Sequence, residues 1–385
     1  MSSSLSIIRR WNHGPRICAV AAWLLFLPPL QADAPSPAEP WQRAIGAWSW
    51  MFPRDHGAHP NFKTEWWYFT GNLQDTQQGR HFGYQLTLFR QGIQFTPAQP
   101  ASRWAVRDSY FGHFTISDLA ADQFHVAERV SRGALGEAKA APDRMDVALG
   151  PWTIRQDANE QVHLAAREAD MAIDFEEHPL KPLVLEGVGG LSRKAEGAGE
   201  ASYYYSYPRL ATTGHLRVGE KSYDVTGLSW FDHEFSTSSL GKNQVGWDWF
   251  CIQLENREEV MLYAMRDKSG AMDPVSEGTW VKADGTAERL LPGSFSIEKK
   301  GAWRSPRSGA VYPAGWHIVV PGHRADLTVT PAMADQELRL TKMGALDYWE
   351  GACSIEGSVA DVPVSGAGYT ELTGYAGALP AGMKE

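Results

Sequence analysis

The chain of 385 residues contains only three cysteines, and Cys18 falls in an N-terminal leader, so Cys251 and Cys353 alone remain for the body. A disulfide framework is thereby excluded. One bridge at most could form, and the strand-like apolar surroundings of both cysteines favour two buried thiols. Long hydrophobic runs are scarce as well. Arg9, Arg10 and Arg16 precede an apolar run from Ile17 to Leu30, and Gln31-Ala32-Asp33-Ala34 supplies a small-residue cleavage site. That run is too short for a comfortable membrane span, and no later segment approaches one. Residues 1–34 therefore read as a secretory signal peptide, and the expected product is periplasmic or secreted and does not span a membrane. Excess positive charge is also missing. The net charge is −9, and cleavage after Ala34 removes three of 36 basic residues and one of 45 acidic ones, which leaves it near −11. That balance argues against a nucleic-acid partner.

Several chemical signatures are absent too. Gly-x-Ser-x-Gly does not occur, and Gly227-Leu228-Ser229-Trp230-Phe231 fails at its last position, so a nucleophile-elbow hydrolase has no support. No glycine loop leads from a strand into a helix, which leaves nucleotide binding unsupported. His113, His125 and His163 lack tight ligand spacing, and His56-x-x-His59 with Asp55 precedes a strand instead of lying on a helix. No metal and no cofactor is expected.

What remains is β structure rich in aromatic residues. Segments such as Phe82–Phe89, Gln161–Ala166, Ala169–Phe175, Gly246–Leu254 and Glu259–Met265 are five to nine residues long and punctuated by Gly, Asp, Asn and Pro. Long amphipathic helix patterns do not occur; the one expected exception is a short turn or helix within Asp118–Arg132. The chain reads as all-β. About 350 residues beyond the leader exceed one ordinary core, so two domains are expected. Hairpins with glycine-opened strands recur at Thr70-Gly71, Thr213-Gly214 and Glu350-Gly351, a spacing that suits up-and-down meanders. Sixteen Trp and 13 Tyr exceed what core filling needs and suit an aromatic-lined apolar cavity.

Two clusters carry the candidate chemistry. In Thr64-Glu65-Trp66-Trp67-Tyr68-Phe69-Thr70-Gly71, strand alternation puts Glu65, Trp67 and Phe69 on one face, with Trp66 and Tyr68 on the other, before a turn signal at Gly71-Asn72. A carboxylate among rings needs a specific partner or a raised pKa. In Trp230-Phe231-Asp232-His233-Glu234-Phe235, the same alternation groups Trp230, Asp232 and Glu234 against Phe231, His233 and Phe235. Two carboxylates facing one cavity would split their pKa values into an acid and a base; the plainer alternative is a strand end meeting solvent. Tyr203, Tyr205 and Tyr207 share a third face, and Trp247 and Trp249 a fourth, suited to packing first and ligand stacking second.

These motifs resemble a known family. His59-Pro60 with Glu65-Trp66-Trp67-Tyr68, then Tyr203-Tyr204-Tyr205-Ser206-Tyr207-Pro208, then Trp230-Phe231-Asp232-His233-Glu234, look like the AttH-like branch of the carotenoid 1,2-hydratase (hydroxyneurosporene synthase) family. The resemblance implies two lipocalin-like β-barrels side by side, an architecture shared with certain fungal pericyclases. We expect an N-terminal extension over 35–58, a hydratase-type domain over 59–234 and a C-terminal lipocalin-like domain over 235–385. It also implies a hydro-lyase that protonates a carbon–carbon double bond of an apolar isoprenoid or lipid. In that scheme Asp232 is the acid/base, Tyr203, Tyr205 and Trp230 surround the cation, and Glu65, Trp67, Glu234, Trp247 and Trp249 contact the ligand. The hydratase pattern carries Tyr where Trp230 stands and His-x-Trp where Tyr203 and Tyr205 stand. The AttH-like branch equally implies a non-enzymatic periplasmic lipid carrier, or an accessory protein of an ABC-type transporter. A third reading is a purely structural envelope protein.

Overall fold

The computed structural model describes residues 41–95, 106–237, 240–342 and 346–377, so the expected leader lies outside the described residues. From Trp41 onward they belong to one compact unit. Two large antiparallel sheets account for nearly all of its regular structure, with two 3-10 turns at Arg54–His56 and Pro321–His323.

The first sheet begins with four long strands, β1 (Thr64–Asp75), β2 (His81–Gly92), β3 (Asp108–Asp118) and β4 (Gln123–Arg132). Five shorter ones follow, β5 (Ala138–Ala140), β6 (Asp146–Leu149), β7 (Trp152–Gln156), β8 (Val162–Arg167) and β9 (Met171–Pro179). Two fragments, β10 (Val184–Leu185) and β11 (Leu191–Arg193), pair with the long strand β12 (Ala201–Val218), which returns as β13 (Lys221–Ser236). The order β4-β3-β2-β1-β13-β12-β9-β8-β7-β6-β5 curls until β4 approaches β6, a nearly closed barrel.

The second sheet contains β14 (Gln244–Leu254), β15 (Glu259–Asp267), β16 (Glu277–Val281), β17 (Ala287–Leu290) and β18 (Ser296–Lys299). A small ribbon of β19 (Trp303–Arg304) and β20 (Val311–Tyr312) intervenes. The sheet resumes with β21 (Trp316–Val320), β22 (Ala325–Pro331), β23 (Glu337–Leu340), β24 (Leu346–Val359) and β25 (Val362–Leu372). Its order is β17-β16-β15-β14-β25-β24-β22-β21-β18. The chain is thus an all-β protein of two lipocalin-like barrels, and it crosses from one sheet to the other after Ser236. The β24–β25 hairpin closes on Ala360 and Asp361, both at positive φ (50° and 66°), the geometry whose twist matches that of the flanking strands.

The short turn expected within Asp118–Arg132 is present at residues 119–122, and Gln123–Arg132 continue as a strand paired with β3 along its full length. One local expectation changes. Gly71 does not end its strand: β1 runs to Asp75, and a Cβ at Gly71 would sit 2.5 Å from both the Tyr84 ring and Ser229 Oγ. Glycine there allows side chains to lie against the backbone rather than a turn.

Inward-facing side chains fill both barrels. Trp67, Phe69, Leu86, Phe114, Trp152 and Leu164 in the first, and Phe250, Leu262, Trp280, Trp316 and Leu327 in the second, have 0 % exposure. The aromatic residues read as cavity lining belong here to the two buried hydrophobic clusters. Cys251 and Cys353 are buried and unbridged; Cys251 faces the first barrel, whereas Cys353 belongs to the second barrel's core.

Candidate functional site

One face of β1, β12 and β13 turns away from the first barrel's core and packs on β14, β15, β24 and β25. Tyr68, Tyr204 and Trp230 there meet Trp249, Cys251, Met261, Tyr263 and Tyr369. Asp232 lies in this seam, 4 % exposed. It accepts hydrogen bonds from Ser206 Oγ at 2.6 Å, Trp230 Nε1 at 2.7 Å and Tyr204 Oη at 2.7 Å. Burial pushes its pKa up to about 7, against the pull of those three donors and with a contribution from the charge of Glu234.

Other acids share the seam. Glu186, which accepts from Ser206 at 3.0 Å and from Thr279, is pushed by burial to about 8. Glu350 on β24 and Glu371 on β25 are directly opposite one another. Burial raises both, Glu371 to about 7 and Glu350 well above the carboxylate range, and their mutual repulsion adds to the effect on Glu350. Trp247 Nε1 donates to Glu371 at 3.1 Å. Lys194 pairs with Glu234 at 3.2 Å and holds its ammonium over the Tyr204 and Tyr263 rings, 5.0 and 4.4 Å from their centroids. Trp249 stands edge-on to Tyr68 at 5.2 Å and to Trp230 at 6.4 Å, and donates to Tyr204 Oη at 3.3 Å. Trp66, Trp247, Leu240 and Glu371 are half-buried and mark the seam's open edge. The arrangement offers a transferable proton among aromatic faces.

The opposite face of the same strands holds a different cluster. Glu65 takes hydrogen bonds from Arg90 Nε at 3.0 Å and the His59 amide at 2.9 Å, with His59 Nδ1 and His233 Nε2 at 2.7 and 3.0 Å. Burial alone would raise this carboxyl; the Arg90 guanidinium, with His233 and His59, outweighs it and keeps Glu65 far below its usual range. The Tyr205 hydroxyl lies 2.6 Å from His56 Nδ1 and 3.1 Å from His233 Nδ1, while burial lowers His56 to about 3. Tyr203 donates to the carbonyls of Ile45 and Gly46, and Trp67 Nε1 to that of His56. His59, Glu65 and His233 bring ligand atoms within 4.8 Å of one another. Arg90 already neutralises the carboxylate and hydrogen bonds hold both imidazoles, so the group reads as a structural hub.

The structure therefore brings together Asp232, Trp230, Glu234, Trp247 and Trp249, and places Glu65, Trp67, Tyr203 and Tyr205 on the far side of the sheet. In the β12–β13 register Tyr204 and Ser206 oppose Glu234 and Asp232, whereas Tyr203 and Tyr205 oppose Phe235 and His233. The phenol beside Asp232 is Tyr204. Sequence reasoning also missed Glu186, Glu350 and Glu371 as site residues. The signal for the last two was the one that exposed Glu65: a carboxylate within a strand of aromatic and apolar residues.

The AttH-like family model matches residues 43–375. The chain belongs to the AttH-like family. An AttH protein of Nitrosomonas europaea is 32% identical over 87% of this chain and 99% of its own, with a TM-score of 0.77. Kievitone hydratase of Nectria haematococca is similar in fold to this chain at 15% identity, covering 88% of this chain and 98% of that one, with a TM-score of 0.65. CghA bound to Sch210972 is likewise similar at 13% identity, covering 83% and 90%, with a TM-score of 0.53. No curated protein matches the sequence.

Proposed function

We propose that this AttH-like protein is a hydro-lyase that adds water across a carbon–carbon double bond of an apolar, isoprenoid-type substrate at the seam between its barrels. The observation that carries the reading is Asp232: a carboxyl buried among π faces that keeps its proton close to neutrality. Protonating an alkene needs a positioned acid, and the resulting tertiary cation is stabilised by aromatic quadrupoles. Trp230, Trp249, Tyr68 and Tyr204 supply those faces, and Ser206 and Tyr204 orient the acid. The hydratase among the structural neighbours supports the reading as an analogy of fold.

A lipid carrier would need a vacated barrel. The packed interiors favour chemistry at the seam over storage in either core. The leader sequence supports action in the periplasm or outside the cell, with ABC-type transporter components as the partners the family resemblance implies. N-terminal sequencing of the exported protein tests the export, starting at Pro35 if cleavage follows Ala34.

The decisive measurement is incorporation of heavy oxygen from labelled water into the acyclic carotene lycopene, which has trisubstituted double bonds at both ends. The wild type is expected to turn it over, and Asp232→Asn to lose on the order of 10²–10⁴ in kcat. Full activity in that variant would refute the assignment of the acid.

A further inference from the structure

Five buried polar atoms of the seam make no hydrogen bond of good geometry, Tyr68 Oη, Gln85 Oε1, Thr115 Oγ1, Glu350 Oε1 and Tyr369 Oη, although Tyr68 and Glu350, and Tyr369 and Thr115, lie close enough to interact. The strand registers put all five on the faces that meet between the barrels. Tyr68 and Gln85 lie on β1 and β2, with Gln85 opposite Thr70; Thr115 lies opposite Gln85 on β3. Glu350 and Tyr369 face them from β24 and β25. Buried polar groups are nearly always satisfied, by protein or by ordered water. A buried water makes about three hydrogen bonds to groups otherwise left unpaired. Tyr68, Glu350 and Tyr369 offer such a set: two hydroxyls that can donate or accept, and a carboxyl oxygen.

Their position relative to Asp232 gives that set a chemical meaning. Tyr68 pairs directly with Asp232 across β1 and β13, which brings their Cβ atoms to about 4.5–5.5 Å, and its ring carries the hydroxyl onward toward Glu350. Acid and water set thus stand at opposite ends of one phenol ring. Glu371, opposite Glu350, lies at the half-buried edge and feels the charge of Asp232. Two adjacent carboxyls share protons as a unit, so the pair can accept a proton at its deep end and release it at its outer end.

We propose that Tyr68, Tyr369 and the Glu350–Glu371 pair hold the water that is added to the double bond, and that the pair takes that water's proton. The steps balance as follows. Asp232 gives its proton to one alkene carbon and becomes a carboxylate, leaving a cation on the other carbon. The water oxygen forms a bond to that carbon, and its surplus proton passes to the carboxylate of the pair. Transfer of one proton from the pair back to Asp232, directly or through solvent at the seam's edge, restores the starting state.

This inference rests on the hydratase reading, and two measurements separate their failures. A high-resolution crystal structure of the full chain is expected to show one ordered water within hydrogen-bond reach of Tyr68, Glu350 and Tyr369. Direct closure of those contacts, or their satisfaction by other protein groups, overturns the water site whatever the activity. With lycopene and labelled water, Glu350→Gln is expected to lower kcat at least about a hundredfold with KM within about threefold, and Tyr369→Phe, which keeps the ring, about tenfold. Turnover by Glu350→Gln at the wild-type rate overturns the base. A water at the site with no turnover by the wild type sinks the hydratase reading and the base together, and leaves the water site standing.

Discussion

Glu65 and Asp232 are carboxyls on neighbouring strands of one sheet, both cut off from solvent, yet their protons behave oppositely. Glu65 faces the first barrel and meets a guanidinium; Asp232 faces the seam and meets three neutral donors. Burial raises both, by an amount that hydrogen bonds from neutral groups do not cancel at Asp232 and that a full positive charge overcomes at Glu65. The stabilising hub and the candidate acid thus differ by the charge of one partner.

The largest expected effect comes from breaking the hub. Arg90→Met removes the guanidinium that offsets the buried Glu65 charge, leaving it only the His59 and His233 contacts, and should cost about 3–5 kcal/mol, read as a lower urea midpoint. Asp232→Asn should by contrast change stability at about pH 6 by no more than about 1 kcal/mol, because the native group is mostly protonated there. Equal losses in the two variants would erase the distinction between the faces.

The pH dependence should separate them further. A carboxyl raised in the folded state, as Asp232, Glu186 and Glu371 are, binds its proton more tightly than in the unfolded chain. Its contribution is complete below the unfolded value near 4 and is lost as the pH rises through about 7 to 8. Glu65 has the opposite sign, contributing above its unfolded value and losing that contribution as the pH falls toward its folded one. Urea unfolding between about pH 5 and pH 7 should show Asp232→Asn flattening the wild-type decline by about 1.4 kcal/mol per pH unit. An unchanged slope would mean that Asp232 is ionised in the fold.

The smallest and sharpest comparison is between adjacent tyrosines. Tyr204→Phe removes a donor to the Asp232 carboxylate and should move the alkaline limb of the hydration profile, where Asp232 loses its proton, upward in pH. Tyr203→Phe loses only bonds to backbone carbonyls, costs about 0.5–1.5 kcal/mol and should leave that profile in place. If Tyr203→Phe shifts the profile instead, the assignment of faces is wrong.

Alternation along single strands was legible without a structure. The split of Glu65, Trp67 and Phe69 from Trp66 and Tyr68, and of Trp230, Asp232 and Glu234 from Phe231, His233 and Phe235, appears in the fold as expected. So does the all-β, two-barrel architecture, which follows from short alternating segments and the family motifs. Partners across strands were not legible. Glu65 meets Arg90 from β2, His59 from the segment before β1 and His233 from β13, and no spacing along the chain announces that set.

The amino-acid sequence by itself determined which side chains of each strand travel together, because the side-chain period of a strand is two residues and needs no partner. Only the tertiary structure decided which face of one strand meets which face of the next. A register shift of one residue exchanges Tyr204 for Tyr203 or Tyr205 beside Asp232. The choice among them was made by packing across the sheet, where one face had to bury the first barrel's core and the other had to fit against the second barrel.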